Sequence, residues 1–174
     1  MAKRLFFGLW PSNRQREALR DPIKAAIGAV EGVPVLRGNW HITLVFLGPL
    51  PEQDIPALQA AAAEVTCDPF RLRLDRLEFW PRPKTACLLA TGVPPALQSL
   101  HEALQGVAVK FGVQPEERFF RPHLTVVRRG RPFEPVPLAQ PVLLEWSGFE
   151  LLQSDSTPQG AQYSPLKQGS TDNS

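Results

Sequence analysis

Asn39–Gly48 reads NWHITLVFLG, and Phe120–Gly130 reads FRPHLTVVRRG. Each line carries His-x-Thr followed by an aliphatic residue. Together they use two of the chain's three histidines, 82 positions apart. With seven threonines among 174 residues, composition does not account for the repetition. In a strand, successive side chains point to opposite faces. His41 and Thr43 then share one face, with Ile42 and Leu44 on the other. His123 and Thr125 likewise share a face opposite Leu124 and Val126. Each segment is expected to bury its aliphatics and present an imidazole beside a hydroxyl. By the same parity Phe46 falls on the aliphatic face of Ile42 and Leu44, where a core role is at least as well motivated as a ligand contact.

Outward from these two lines the chain falls into halves. RLFFGLW, from Arg4, reads as a buried strand closed by Pro11. A helix is expected from Asn13 to Val30, with Pro22 as a kink or break. HITLVFLG is the next strand. PEQDIPALQAAAAEV is the next helix, with Pro51 suited to its first turn. FRLRLDRLEFW alternates, so Phe70, Leu72 and Leu74 face in while Arg71, Arg73 and Asp75 face out. The second half repeats the plan: ACLLATGV closed by Pro94 and Pro95, an amphipathic helix carrying Leu97, Leu100, Leu104 and Val107, then HLTVV. VLLEWSGFELL and AQYSPL supply the last strands. His41 follows Pro11 by 30 residues and His123 follows Pro94 by 29. Strand, proline, helix, loop and His-x-Thr strand thus occur twice, which reads as an internal duplication. Two such halves packed about a pseudo-two-fold axis bring both His-x-Thr strands to one cleft. Residues 1–167 form the domain, and the Gly, Ser, Asp and Asn tail at 168–174 is expected to be disordered.

The composition sets bounds. A chain of 174 residues with 43% hydrophobic content holds one ordinary core. Nineteen Lys and Arg against 17 Asp and Glu leave a net charge of +2, too small to announce a nucleic-acid scaffold by itself. Cys67 and Cys87 lack metal-ligand spacing and read as reduced, partly buried thiols. The apolar run after Arg4 is cut by Pro11, too short for a signal peptide, and nothing approaches a membrane span. The expected location is the cytoplasm.

An imidazole beside a hydroxyl suits a phosphoryl group. The hydroxyl donates to a non-bridging oxygen, and the imidazole moves a proton at the attacking or leaving oxygen. An unperturbed histidine titrates near pH ~6.5, so both forms are accessible. Two such units facing each other supply a base on one side of phosphorus and an acid on the other. The motifs WHITLVFLG and FRPHLTVVR, with their flanks, resemble the paired signatures of the 2H phosphoesterases, and most closely the RNA 2′,3′-cyclic phosphodiesterase (2′-5′ RNA ligase-like) branch. That resemblance implies an α+β, bilobal fold with two antiparallel sheets flanking a groove and helices outside. It also implies metal-independent hydrolysis of a 2′,3′-cyclic phosphate to a 2′-phosphate. Arg128 stands at the arginine position that follows the second motif in this branch, which makes it a candidate phosphate ligand with Thr43 and Thr125.

Roles can be assigned from charge. The arginines at 118, 121, 128, 129 and 131 surround His123 and should keep it neutral, as a general base. His41, with Arg37 its nearest basic neighbour in sequence, should hold a proton and serve as general acid. Trp40, Phe46, Phe120 and Arg121 are candidate RNA or base contacts, and His101 reads as a surface residue of its helix. No cysteine or carboxylate recurs at matching positions in the halves to complete a zinc ligand set, and the sequence holds no P-loop, so no metal or other cofactor is expected. The partners expected are RNA ends or small cyclic nucleotides, acted on by a monomer. ATP-independent RNA ligation and RNA-end binding without turnover are the alternatives.

Overall fold

The computed structural model describes residues 2–166, so the expected tail lies outside the described residues. In chain order the elements are β1 (Ala2–Leu9), α1 (Asn13–Ile27), β2 (Val33–Pro34), β3 (Ile42–Pro51), α2 (Ile55–Ala63), β4 (Phe70–Trp80), β5 (Thr85–Leu89), α3 (Pro95–Lys110), β6 (His123–Arg128), β7 (Val136–Trp146), β8 (Glu150–Thr157) and β9 (Gly160–Pro165). The fold is α+β. Among the described residues no helix is long and apolar enough to cross a membrane.

The strands are antiparallel and run in the order β7-β4-β5-β6-β3-β1-β8-β9, with β2 beside β6. Two antiparallel sheets flanking a groove were expected. They are instead joined into one, because β3 and β6 meet at the single pair Ile42↔Leu124. Leaving β2 aside, four strands lie on either side of this seam, with the His-x-Thr strand innermost in each. Ile42 and Leu124 are fully buried, so an apolar contact rather than a long ladder closes the seam.

The helices tie the sides together. α1 follows β1 but packs on β7 and β6, and α3 packs on β3. Gln15 of α1 donates to the Glu145 carbonyl of β7 at 2.7 Å. Leu19 and Ile23 of α1 are buried, each burial contributing roughly 1.5–3 kcal/mol. A capping box starts α1: the Ser12 hydroxyl accepts from the Gln15 amide at 3.1 Å, and Gln15 Oε1 accepts from the Ser12 amide at 2.8 Å. α1 ends at Ile27, short of Val30, and runs through Pro22 without a break. α2 starts later than expected: Pro51 closes β3, a 3₁₀ turn covers Glu52–Asp54, and Pro56 takes the first-turn position where a missing N–H costs nothing. In β4 the alternation holds, with Phe70, Leu72 and Leu74 buried and Arg71 and Arg73 exposed. Asp75 is half-buried instead, since it accepts from the Thr91 amide and hydroxyl.

β3 contains an irregularity that matters for the site. Gly8 pairs with Thr43 and Phe7 with Val45, so Leu44 is an extra residue on β3. Such a bulge reverses the alternation beyond it, until a second extra residue, Leu47, between the pairs Phe6↔Phe46 and Leu5↔Gly48, restores it. Gly8 is needed beside it: a Cβ there would lie 2.9 Å from the Ile42 carbonyl oxygen and 2.8 Å from Leu152.

Candidate active site

Because Ile42 faces Leu124 in an antiparallel register, Thr43 steps toward His123 and His41 toward Thr125. Ile42, Leu44, Leu124 and Val126 are buried, whereas both histidines and both threonines are half-buried. The four polar side chains therefore share the open face of the two innermost strands.

Both imidazoles are oriented in the same way. His41 Nδ1 lies 2.8 Å from the carbonyl oxygen of Asn39, and His123 Nδ1 lies 2.9 Å from that of Arg121. A carbonyl can only accept, so each Nδ1 carries the hydrogen and donates it. Nε2 is then the nitrogen left with its lone pair in each neutral ring. His41 Nε2 is 3.1 Å from the Thr43 hydroxyl. The Thr125 hydroxyl is 3.6 Å from Cys87 Sγ, and the Thr85 hydroxyl contacts the same sulfur at 3.5 Å. Cys87 is buried and unpaired, as is expected of a reduced thiol, and Cys67 is half-buried.

The electrostatics differ from the sequence-based assignment. His41 is pushed down to about 4, chiefly by burial, with repulsion from His123, Arg128 and Arg16 adding to it; the bond to Asn39 works the other way. His123 is also lowered, again chiefly by burial, with Arg121 contributing. The premise that His41 has few basic neighbours therefore fails. Arg128 reaches across the seam and donates to the Tyr163 hydroxyl at 2.8 Å, and Arg16 of α1 is buried behind the Asn39 turn, bonded to the Arg37 carbonyl. Sequence proximity to His123 did not fix which imidazole the arginines serve.

Aromatic rings wall the site. Phe6 and Tyr163 flank His41 at centroid distances of 5.1 and 4.6 Å. Trp80 lies 4.1 Å from His123, and Arg121 stacks over Trp80 while pairing with Glu78 at 2.6 Å. Beside His123 and Thr43 opens a cleft of about 990 Å³, lined among others by Phe46, Trp80, Phe120 and Arg121. Trp40, expected as a base contact, is instead 6% exposed and belongs to the core. Phe46 is 69% exposed, because the Leu44 bulge turns it from the aliphatic face into the cleft. His101 is not a surface residue. It is buried, stacks on Phe120 at 4.1 Å and 4°, and its Nδ1 donates to the carbonyl of Leu44, the bulge residue. The residues that sequence reasoning missed are Phe6, Trp80, Arg16 and Tyr163. No spacing marks them, since each reaches the histidines through long-range packing. Among the described residues no cluster of three His, Cys, Asp or Glu side chains is placed to hold a metal ion.

A sequence profile of the 2′-5′ RNA ligase superfamily matches residues 14–152. The chain belongs to this superfamily. Relatives agree along nearly the whole chain. The RNA 2′,3′-cyclic phosphodiesterase of Thermus thermophilus is 32% identical over 179 residues, covering 94% of this chain and 88% of the relative. The enzyme of the same name from Escherichia coli is 29% identical, covering 95% and 94%. Among solved structures, Escherichia coli LigT complexed with 3′-AMP superposes with a TM-score of 0.85 at 27% identity, covering 96% of this chain and 97% of that one. The superfamily's fold is thus the fold described above.

Proposed function

We propose that the protein hydrolyses RNA or nucleotide 2′,3′-cyclic phosphate ends to 2′-phosphates without a metal. The observation that carries this reading is the matched pair of imidazoles. Each is held by an Nδ1–H bond to the carbonyl two residues earlier, which leaves Nε2 free, and both rings stand on the strand face that carries Thr43 and Thr125. The names of the relatives support the same chemistry.

In this mechanism the threonine hydroxyls and Arg128 hold the non-bridging oxygens. His123 is the general base. It borders the open cleft through which water arrives, and burial keeps it neutral. It takes a proton as the water oxygen attacks phosphorus. The P–O3′ bond breaks, and His41 gives its proton to the departing 3′-oxygen. His41 does not line that cleft, and Phe6 and Tyr163 pack against its ring, which suits an acid. It is neutral in the free protein at pH 7, and the negative charge of the cyclic phosphate favours its protonated form. Phe46, Phe120 and Arg121 line the cleft where a base or neighbouring nucleotide would stack. The bilobal arrangement follows from duplication of a strand-helix-strand unit, a reading supported by the matching strand positions either side of the seam. The unpaired thiols support a reducing, cytoplasmic setting, and we propose a monomer acting on RNA ends or small cyclic nucleotides.

The test is product analysis with an oligonucleotide ending in a 2′,3′-cyclic phosphate, with and without a 5′-hydroxyl partner strand. A 2′-phosphate end in both reactions is expected. A joined product as the main outcome would make the protein a ligase, and capture of the end without turnover would make it a binding module.

A further inference from the structure

β9 is the outer strand of its side of the sheet, yet it reaches the site. Asn39 explains how. Its side-chain oxygen accepts from the Tyr163 amide at 3.2 Å, and its side-chain nitrogen donates to the Ala161 carbonyl at 3.0 Å. These are alternate residues on the free edge of β9, and the amide bonds them as a neighbouring strand would. The backbone carbonyl of the same Asn39 accepts from His41. One residue therefore fixes both His41 and the strand that carries Tyr163.

Tyr163 is the only tyrosine in the chain. Its ring stands edge-on to Phe6 at 5.6 Å and covers His41 at 4.6 Å. Its hydroxyl accepts from Arg128, which lies at the end of β6 on the opposite side of the seam. The guanidinium also lies over the ring, 5.6 Å from its centroid. Without this contact Arg128 is a long side chain with many rotamers, and ordering it at the phosphate would cost conformational entropy on each binding event.

We propose that Tyr163 is a positioning residue of the phosphate site, its hydroxyl fixing the Arg128 guanidinium and its ring shielding His41 from water. The proposal rests on the phosphodiester-hydrolysing reading above, but half of its test does not. The hydroxyl and the ring are separable. Tyr163→Phe removes only the first, and Tyr163→Ala removes both. Tyr163→Leu, which keeps apolar cover over Phe6, replaces the alanine variant if that one unfolds.

The ring is read by proton NMR. The chain has three histidines, so their ring C2–H signals can be assigned by single His→Gln variants and titrated. The charged and titratable groups facing His41 are His123, Arg128 and Arg16. All three remain in these variants. Tyr163→Phe, which keeps the ring, should move the His41 midpoint little, and Tyr163→Ala or Leu should raise it by about one unit more as water reaches the ring. An unmoved midpoint in both truncations overturns the shielding role, whatever the enzyme does.

The hydroxyl is read by kinetics on a 2′,3′-cyclic mononucleotide. Tyr163→Phe should raise KM roughly tenfold, the low end for a hydrogen bond to a charged group, and more than it lowers kcat. In an Arg128→Ala background the same change should add almost nothing, since the group it positions is gone. An equal cost in both backgrounds, or no cost in either, overturns the link to Arg128. If the parent itself turns over no cyclic phosphate, the functional reading fails, and the NMR titration still decides the role of the ring.

Discussion

A neutral, half-buried His41 makes the fold itself sensitive to acid. In the unfolded chain the imidazole titrates near pH ~6.5, whereas in the folded protein it is pushed down to about 4. Between those values the unfolded state binds more protons, so stability falls as pH falls. Its contribution is fully present above about pH 6.5 and is lost progressively toward pH 4. Linkage over that window gives a loss of about 2 kcal/mol between pH 7 and pH 5 from this one group. His41→Gln cannot titrate and should not show that component. The assay is urea unfolding of parent and variant at both pH values, followed through the chain's four tryptophans in phosphate-free buffer. Phosphate must be absent because any ligand of the folded state masks the effect by mass action. The lowered proton affinities of His123 and His101 act in both proteins and cancel in the comparison. The parent should lose about 2 kcal/mol more than the variant over the interval. Equal losses in the two proteins would refute a neutral His41 with lowered proton affinity.

The same shifts place the pH optimum. Since kcat/KM reports the free enzyme, and both imidazoles titrate below their ordinary value, its maximum should fall below pH 6.5; an optimum at pH 8 would contradict the two-histidine mechanism. Turnover should survive EDTA, and its loss on chelation with recovery on added zinc or magnesium would overturn the metal-free reading. Loss of either histidine should cost ~10²–10⁴ in rate on a cyclic phosphate. On a substrate with an activated leaving group, His41→Ala should recover much of its rate and His123→Ala should not; the reverse pattern exchanges the acid and base. Phe46→Ala should leave unfolding nearly unchanged, because the ring is 69% exposed, while weakening binding of a nucleotide by about 1–3 kcal/mol, read by calorimetry.

The parts of the site legible in the sequence are those governed by local alternation. Strand parity alone put His41 with Thr43 and His123 with Thr125, since Ile42 and Leu124 had to be buried. Parity failed at Phe46, because the extra residue Leu44 in β3 reverses the faces as far as a second extra residue, Leu47, and nothing in the sequence there announces a bulge. His101 was misplaced for the same reason. The bulge leaves a carbonyl facing α3, and a histidine buried there supplies the donor. Charge reasoning failed for a different cause. Arg128 is five residues from His123 in sequence, but its side chain crosses the seam to Tyr163, beside His41. Trp40 follows the rule that a large aromatic next to a motif is more often core than contact.

The seam between β3 and β6 also limits how this chain can be divided or rebuilt. A single backbone pair joins β3 to β6, and the two-residue strand β2 adds only two more with β6, so the sheet by itself hardly sets the spacing of the imidazoles. That spacing is set by α1 resting on β7 and by α3 resting on β3, each helix belonging by sequence to one side and by packing to the other. Expressing either His-x-Thr unit alone would strip its helix of the surface it needs, leaving Leu19 and Ile23, or Leu100 and Leu104, open to water. The chain is therefore a poor source of single-motif modules. Changes made along the α1–β7 contact are a route to altering the gap between the two imidazoles without touching either one.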